Sequence, residues 1–152
     1  MRISVDILYS QLCVFDPSLD RPYNTWTDEH VLQGFSWRDG SVSFATQCES
    51  PGAEIDVTTS GSPPDISGAR TAIVVPFTVP PSGRVEIGSV MSGHQVPVPA
   101  GRYALYFVEN GGADTPAFAL SFVLADDVVP DILVPSETAS RRAEYIMTAD
   151  PA

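Results

Sequence analysis

Two stretches decide the fold: RYALYFVE at residues 102–109 and AFALSFVL at residues 117–124. Both are rich in aromatic and β-branched residues, which favour strands near the centre of a sheet. Elsewhere apolar and polar residues alternate in shorter runs, a pattern that predicts strands with one buried face. These runs are Ile3–Tyr9, with Ile3, Val5, Ile7 and Tyr9 on one face, Val42–Thr46, Ile55–Val57 and Val85–Ile87.

The connections between these runs are marked by proline and glycine, of which the chain has 14 and 11. Turn sequences occur at Asp39-Gly40, Pro51-Gly52, Pro63-Pro64, Pro80–Gly83, Pro99–Gly101 and Asn110–Gly112. So many half-apolar strands predict an all-β fold, a two-sheet antiparallel β-sandwich. Residues 72–79 also resemble a strand, but Pro76 cannot donate a ladder hydrogen bond, so we expect an edge or bulged strand there. An exposed edge leaves dimerisation open.

One short helix is expected between the strands. Thr27 can cap a segment that runs through Gln33, with Asp28 and Glu29 at the positive end of the helix dipole. Gly34 supplies the residue that ends it. The fold class is therefore a β-sandwich with one short helix.

The 152 residues fit one domain. We expect residues 1–135 to form the sandwich and residues 136–152 to be a C-terminal tail packed on the same domain. Within the tail, residues 136–147 could form a short helix or a late strand. Cys13 and Cys48 cannot make a disulfide framework, and we expect two free thiols.

The charge balance is strongly acidic, with 19 Asp and Glu against eight Arg, no Lys and a net charge of −11. Such a chain is repelled by nucleic acid and by anionic membranes, but it attracts a basic protein. The alternative is that the charge serves only solubility.

Residues 1–10 contain Asp6 and lack the apolar run of a signal peptide, and no stretch is long enough to span a bilayer. We therefore expect a cytoplasmic protein without membrane insertion.

The sequence does not present an enzyme's set of catalytic groups. His30 and His94 are its two histidines, no serine lies in a Gly-x-Ser-x-Gly motif, and the glycine-rich stretch 88–93 lacks the lysine of a phosphate-binding loop. We predict no catalytic activity and no cofactor.

Metal binding is not expected either. Asp28, Glu29 and His30 are neighbours on a helix and point in different directions, so a solvated first turn is the better interpretation. The acidic stretch 126–131 lacks the spacing of an EF-hand.

The aromatic residues Trp26, Phe35 and Trp37 crowd around the helix and the strand that follows. Core packing is the default role of such side chains. Contact with a partner is the alternative, because Trp and Arg are enriched in interface hot spots and Arg38 lies adjacent.

Six segments resemble, in order and spacing, the competence protein J family. They are WTDE at 26–29, QGF at 33–35, GSVSF at 40–44, VPFTV at 75–79, VEIGSVMS at 85–92 and PAGRYAL at 99–105. The resemblance runs from about Ile3 to Glu109 and more faintly to Leu124, and it does not include the tail. It implies a small acidic inhibitor that binds a nuclease and suppresses DNA cleavage, but it assigns no inhibitory residues.

The charge and the resemblance lead to one hypothesis about the surface. A nuclease presents cations to DNA phosphates, and an acidic protein can compete for them. We predict that the partner, a basic nuclease, contacts Trp26, Asp28, Glu29, Trp37, Arg38 and Asp39. The alternative is a ligand- or carbohydrate-binding module that uses the exposed aromatics as a platform, which a deep aromatic pocket would favour.

Overall fold

The computed structural model describes residues 1–90, 92–111 and 114–152, whose strands form two sheets. Sheet A contains, in spatial order, β1 (Arg2–Ile7), β5 (Ser50–Ser60), β10 (Pro116–Leu124), β9 (Gly101–Gly111), β6 (Thr71–Val79) and β11 (Asp131–Val134). Sheet B contains β3 (Phe35–Arg38), β4 (Ser41–Ala45), β2 (Gln11–Phe15), β7 (Arg84–Ser89) and β8 (Ser92–Pro97). The helix α1 spans Asp28–Gln33. The predicted mainly β, two-sheet fold is confirmed.

The prediction of purely antiparallel sheets is wrong for one pair, because β10 runs parallel to β5. The direction of β10 is set by its neighbour β9, with which it forms an antiparallel pair that begins at Gly111 and Pro116. The other edge of β10 pairs with β5. Because β10 must run opposite to β9, it runs parallel to β5. Sheet A is therefore mixed.

The main core is a layer of side chains between the sheets, and Val74, Ala104 and Val123 of sheet A form a second, smaller hydrophobic cluster. The stretches RYALYFVE and AFALSFVL form β9 and β10, the two central strands of sheet A, as predicted. Phe44 of sheet B stacks on Phe107 of sheet A with ring centroids 4.7 Å apart and an interplanar angle of 5°. Beside them, Tyr103 meets Phe122 edge to face at 5.7 Å.

The first alternating run ends earlier than predicted. Val5 and Ile7 are buried and Ile3 is half-buried, but Tyr9 is 71% exposed. Tyr9 and Ser10 adopt φ values of 56° and 51°, which turn the chain from sheet A into sheet B. Tyr9 therefore leaves the buried face that its spacing predicted.

Side-chain hydrogen bonds join strands of the two sheets on both open sides of the sandwich. On one side Nε2 of His94 in β8 donates to the carbonyl of Ser4 in β1, at 2.8 Å. On the other, Nε1 of Trp37 in β3 donates to the carbonyl of Pro76 in β6, at 2.7 Å. The prediction of an edge strand for residues 72–79 is wrong, because β6 lies between β9 and β11. Pro76 is tolerated there since it lies beyond the residues of β6 that pair with β11.

The glycine-rich stretch 88–93 lies at the β7–β8 hairpin, where Gly88 pairs with Gly93. A side chain at Gly88 would meet the carbonyl of Ser92 at 2.0 Å, so the glycine is explained by close backbone approach. Met91 of this stretch and Gly112 of the predicted turn after β9 lie outside the described residues.

The helix forms as its sequence predicts. Thr27 is the N-cap, with its hydroxyl accepting from the backbone N–H of His30, and Gly34 ends the helix with φ 80°. Nothing helical in the described residues is long and apolar enough to cross a membrane.

The segment 136–152 forms neither the helix nor the strand expected for residues 136–147. Instead it runs along α1 in an irregular conformation. The backbone N–H and carbonyl of Ile146 both bond the side chain of Gln33, each at 2.9 Å. Tyr145 and Met147 pack against the main core. The sequence analysis also missed β11, which precedes this segment.

Replacing Gly34 with Ala should destabilise the fold, because the position requires a positive φ and an added Cβ would lie 2.4 Å from the carbonyl of Thr138. We expect the free energy of unfolding to fall by at least about 1 kcal/mol. Denaturant unfolding measures this. Gly61→Ala is the control, since nothing lies within 4 Å of its added Cβ. Equal stability of the two variants would contradict the prediction.

Candidate partner-binding surface

The structure divides the six predicted partner-binding residues between two ends of the β3–β4 hairpin. Trp26 donates from Nε1 to Oε1 of Gln11, at 3.2 Å, and Gln11 pairs with Ala45 at the end of β4. Asp39 follows Arg38, which pairs with Ser41 at the start of β4. The four residue steps between Ser41 and Ala45 correspond to roughly 13 Å. The six residues therefore do not form one compact cluster.

The helix end holds Asp28 and Glu29, both exposed at the N-terminus of α1. The Glu29 carboxylate forms a salt bridge with the Arg142 guanidinium from the C-terminal segment. At this end one of the two predicted carboxylates is thus already paired within the chain, whereas Asp28 remains exposed to a partner.

His30 is buried with 2% exposure, so the prediction of a solvated first turn is wrong for this residue. Its Nδ1 accepts from the backbone N–H of Thr27 at 3.0 Å, and Nε2 donates to the carbonyl of Thr148 at 2.9 Å. Together these contacts require the neutral tautomer with the proton on Nε2. The Thr27–His30 spacing is that of a capping box, a signal from which this role could have been predicted.

No grouping of three His, Cys, Asp or Glu side chains that could hold a metal occurs in the described part of the chain. His30 uses both ring nitrogens in hydrogen bonds to backbone atoms. Thr27 and His30 therefore form the helix cap at this position.

Trp26 lines a small cleft of about 260 Å³ with Tyr9 and Val31. Trp26 is half-buried, while Tyr9 and Val31 are 71% and 57% exposed. Sequence reasoning missed Tyr9 as a surface residue, because the alternation before it predicted burial.

The hairpin end holds Trp37 and Asp39, which line a groove of about 500 Å³ between the two sheets. We call this the hairpin groove. Its lining is Asp16, Leu19, Trp37, Asp39, Gly40, Pro76, Phe77, Thr78 and Pro80. It combines two carboxylates with apolar and aromatic side chains.

Arg38 does not face the hairpin groove. Successive side chains of a strand point to opposite faces, so Arg38 and Trp37 point apart. Arg38 donates from Nε to Oδ1 of the buried Asn24, at 2.7 Å, and from Nη2 to the carbonyl of Arg21. Its guanidinium therefore holds residues 21–24 against the outer face of sheet B.

The two tryptophans do not form an exposed flat platform. Each is half-buried, and each indole N–H is bonded within the chain, to Gln11 and to Pro76. They also lie at opposite ends of the hairpin. The geometry does not favour the predicted alternative of carbohydrate binding on stacked aromatics.

One carboxylate, Glu109, lies fully buried away from the surface sites. Burial raises its pKa, although the backbone N–H of Gln47 at 3.1 Å and the Arg70 guanidinium at 3.7 Å both favour the charged form. Burial also raises the pKa of the Cys13 thiol, to about 11, and the pKa of Cys48. Neither free thiol is thus activated as a nucleophile.

Glu109 should make stability depend on pH. Its pKa is higher in the folded chain than in the unfolded one, so its contribution is present at low pH and is lost as pH rises through the folded pKa. We expect the unfolding free energy of the wild type, relative to Glu109→Gln, to fall as pH rises above about 4, the ordinary pKa of a glutamate. Denaturant titrations over this range measure the difference.

The exposed Glu137→Gln variant controls for the loss of one carboxylate. Parallel pH profiles for the wild type and Glu109→Gln would show that Glu109 is not the titrating group.

Comparison with known proteins connects this fold to one family. The sequence model of Competence protein J (ComJ) matches residues 4–124. The DNA-entry nuclease inhibitor of Bacillus subtilis (strain 168) is 29% identical over 102 residues, which cover 66% of this chain and 75% of the relative. The crystal structure of ComJ from Bacillus subtilis, described as an inhibitor of the DNA-degrading activity of NucA, is similar with a TM-score of 0.71 at 24% identity. That similarity covers 82% of this chain and 96% of the other.

Proposed function

The chain belongs to the competence protein J family, and from this membership we propose that it binds a DNA-degrading nuclease of the NucA type and inhibits it. The observation that carries the proposal is the family match over residues 4–124, which includes α1, the β3–β4 hairpin and both central strands of sheet A. The two similar proteins are both described as nuclease inhibitors, not as enzymes.

The surface charge supports a basic partner. Of the 19 acidic residues only Glu109 is buried, while Asp16 and Glu86 are half-buried and the others are exposed. The exposed carboxylates lie on strands of sheet A, on α1, in the connections between strands and in the C-terminal segment. A charge spread in this way attracts a cationic protein from many directions, and local features must then select the docking orientation.

Inhibition by binding follows from competition for the same cations. A nuclease holds DNA through contacts between its cations and the phosphates. A bound acidic protein neutralises part of that surface and also occupies it, so DNA cannot approach. The mechanism requires one inhibitor per nuclease and no chemical step by the inhibitor.

The test is a titration of the folded chain into NucA and, in parallel, into any NucA homologue that its own host encodes, with plasmid cleavage as the readout. We expect cleavage to fall in proportion to added chain and to end near one equivalent. Because charge accelerates the association, the measured association rate should fall by about tenfold or more as salt is raised from low to physiological concentration.

Polyglutamate at the same total carboxylate concentration is the control for nonspecific displacement of DNA, and it should leave cleavage nearly unchanged. Full cleavage by both nucleases in a large excess of folded chain would rule out the proposed function.

A further inference from the structure

The floor of the hairpin groove includes an open strand edge. β11 pairs with the outer edge of β6 only from Ala72 to Val74. Beyond it, the indole N–H of Trp37 donates a hydrogen bond to the carbonyl of Pro76. Since backbone groups two residues apart on a strand point the same way, the N–H and carbonyl of Thr78 point into the groove as well. Thr78 is exposed, and no strand among the described residues pairs with it on that side.

The two acidic residues of the groove lie on segments that a backbone hydrogen bond joins. The backbone N–H of Asp16 donates to the carbonyl of Gly40 at 2.8 Å, which joins the end of β2 to the hairpin that carries Asp39. The Asp16 carboxylate accepts from the N–H and hydroxyl of Ser18 through one oxygen, Oδ1. Neither Asp16 nor Asp39 has an ion pair within residues 1–90, 92–111 and 114–152.

The walls of the groove are apolar. Leu19, Pro76 and Pro80 line it together with the half-buried Trp37. An arginine side chain fits such a lining, because its aliphatic stem packs on apolar groups, its planar head stacks on an indole, and its charge pairs with carboxylates. No arginine of this chain lines the groove in the part that the structure describes.

We propose that the hairpin groove is the docking site for the nuclease, which inserts an extended segment bearing an arginine between Asp16 and Asp39. This inference rests on the proposed function and specifies the surface for it. The segment adds to the edge of β6 by pairing with the Thr78 backbone, which is β-strand addition over a single residue pair. An arginine held there is unavailable to a DNA phosphate, so docking and inhibition are the same event.

The decisive variant is Asp16→Asn/Asp39→Asn, measured for binding to the nuclease that the wild type inhibits. Asn at position 16 keeps an oxygen for the Ser18 bonds, so the loop geometry is retained. We expect Kd to rise by about 10- to 100-fold, and the salt dependence of Kd to weaken, because two desolvated charge contacts are lost.

The matched control is Glu137→Gln/Glu144→Gln, which removes two exposed carboxylates outside the groove. Its Kd should stay within about threefold of the wild type, since only long-range attraction changes. A second comparison is Asp28→Asn/Glu29→Gln, which removes both carboxylates of the helix end.

The backbone part of the proposal is tested by Thr78→Pro against Thr78→Ala. Both remove the hydroxyl, but only proline removes the outward N–H, and this N–H is not used in the β6–β9 ladder. We expect the alanine variant to bind like the wild type and the proline variant to bind more weakly at an unchanged melting temperature. Equal binding by both would exclude the strand pairing.

The outcomes distinguish a wrong docking site from a wrong proposed function. If the wild type inhibits the nuclease but the groove variant binds as tightly as the control, the docking site is wrong while the inhibitor function stands. Loss of affinity only in Asp28→Asn/Glu29→Gln would move the docking site to the helix end and overturn the inference. If the wild type inhibits neither nuclease, the function itself fails.

Discussion

The contact of Phe44 with Phe107 joins the two sheets at the centre of the molecule, and the other elements are arranged around the layer to which it belongs. Each sheet has one apolar face, and neither face is stable in water unless the other covers it. Covering both faces fixes the distance between the sheets at about 10 Å. Hydrogen bonds from His94 and Trp37 can then span the two open sides.

The hairpin groove is a consequence of the way in which one of these sides is closed. Trp37 packs against the core and directs its indole N–H to Pro76, so the side is bridged at one point and stays open beyond it. The pairing of β2 with β4 in sheet B brings the hairpin tip, with Asp39, close to the end of β2, with Asp16. The hairpin groove therefore lies beside the Trp37–Pro76 hydrogen bond and an unpaired strand edge. Its acidic and apolar side chains can recognise a basic segment by shape and by charge.

Sequence patterns predicted the features that depend on local chemistry. The cap at Thr27, the stop at Gly34 and the central position of the two aromatic strands all follow from residues close together in the chain. The patterns failed where the structure of a segment depends on contacts with residues distant in the sequence. β8 was missed because SGHQVP has no apolar alternation, and it is a strand only because β7 pairs with it. The burial of His30 depends on a carbonyl at Thr148, which helix periodicity does not reveal. For the same reason the predicted partner site combined residues that share a stretch of sequence but not a surface.

Several hydrogen bonds that attach the C-terminal segment to α1 and to residues 23–25 use the segment's own backbone. The side chains of His30 and Gln33 bond the main chain at Thr148 and Ile146, and the main chain of residues 23–25 bonds Asp150 and Ala152. Peptide groups are the same whatever side chain they carry. Many side chains in this segment can therefore change without breaking these hydrogen bonds. Among descendants of this protein, the amino-acid sequence of the segment should diverge faster than its path over α1.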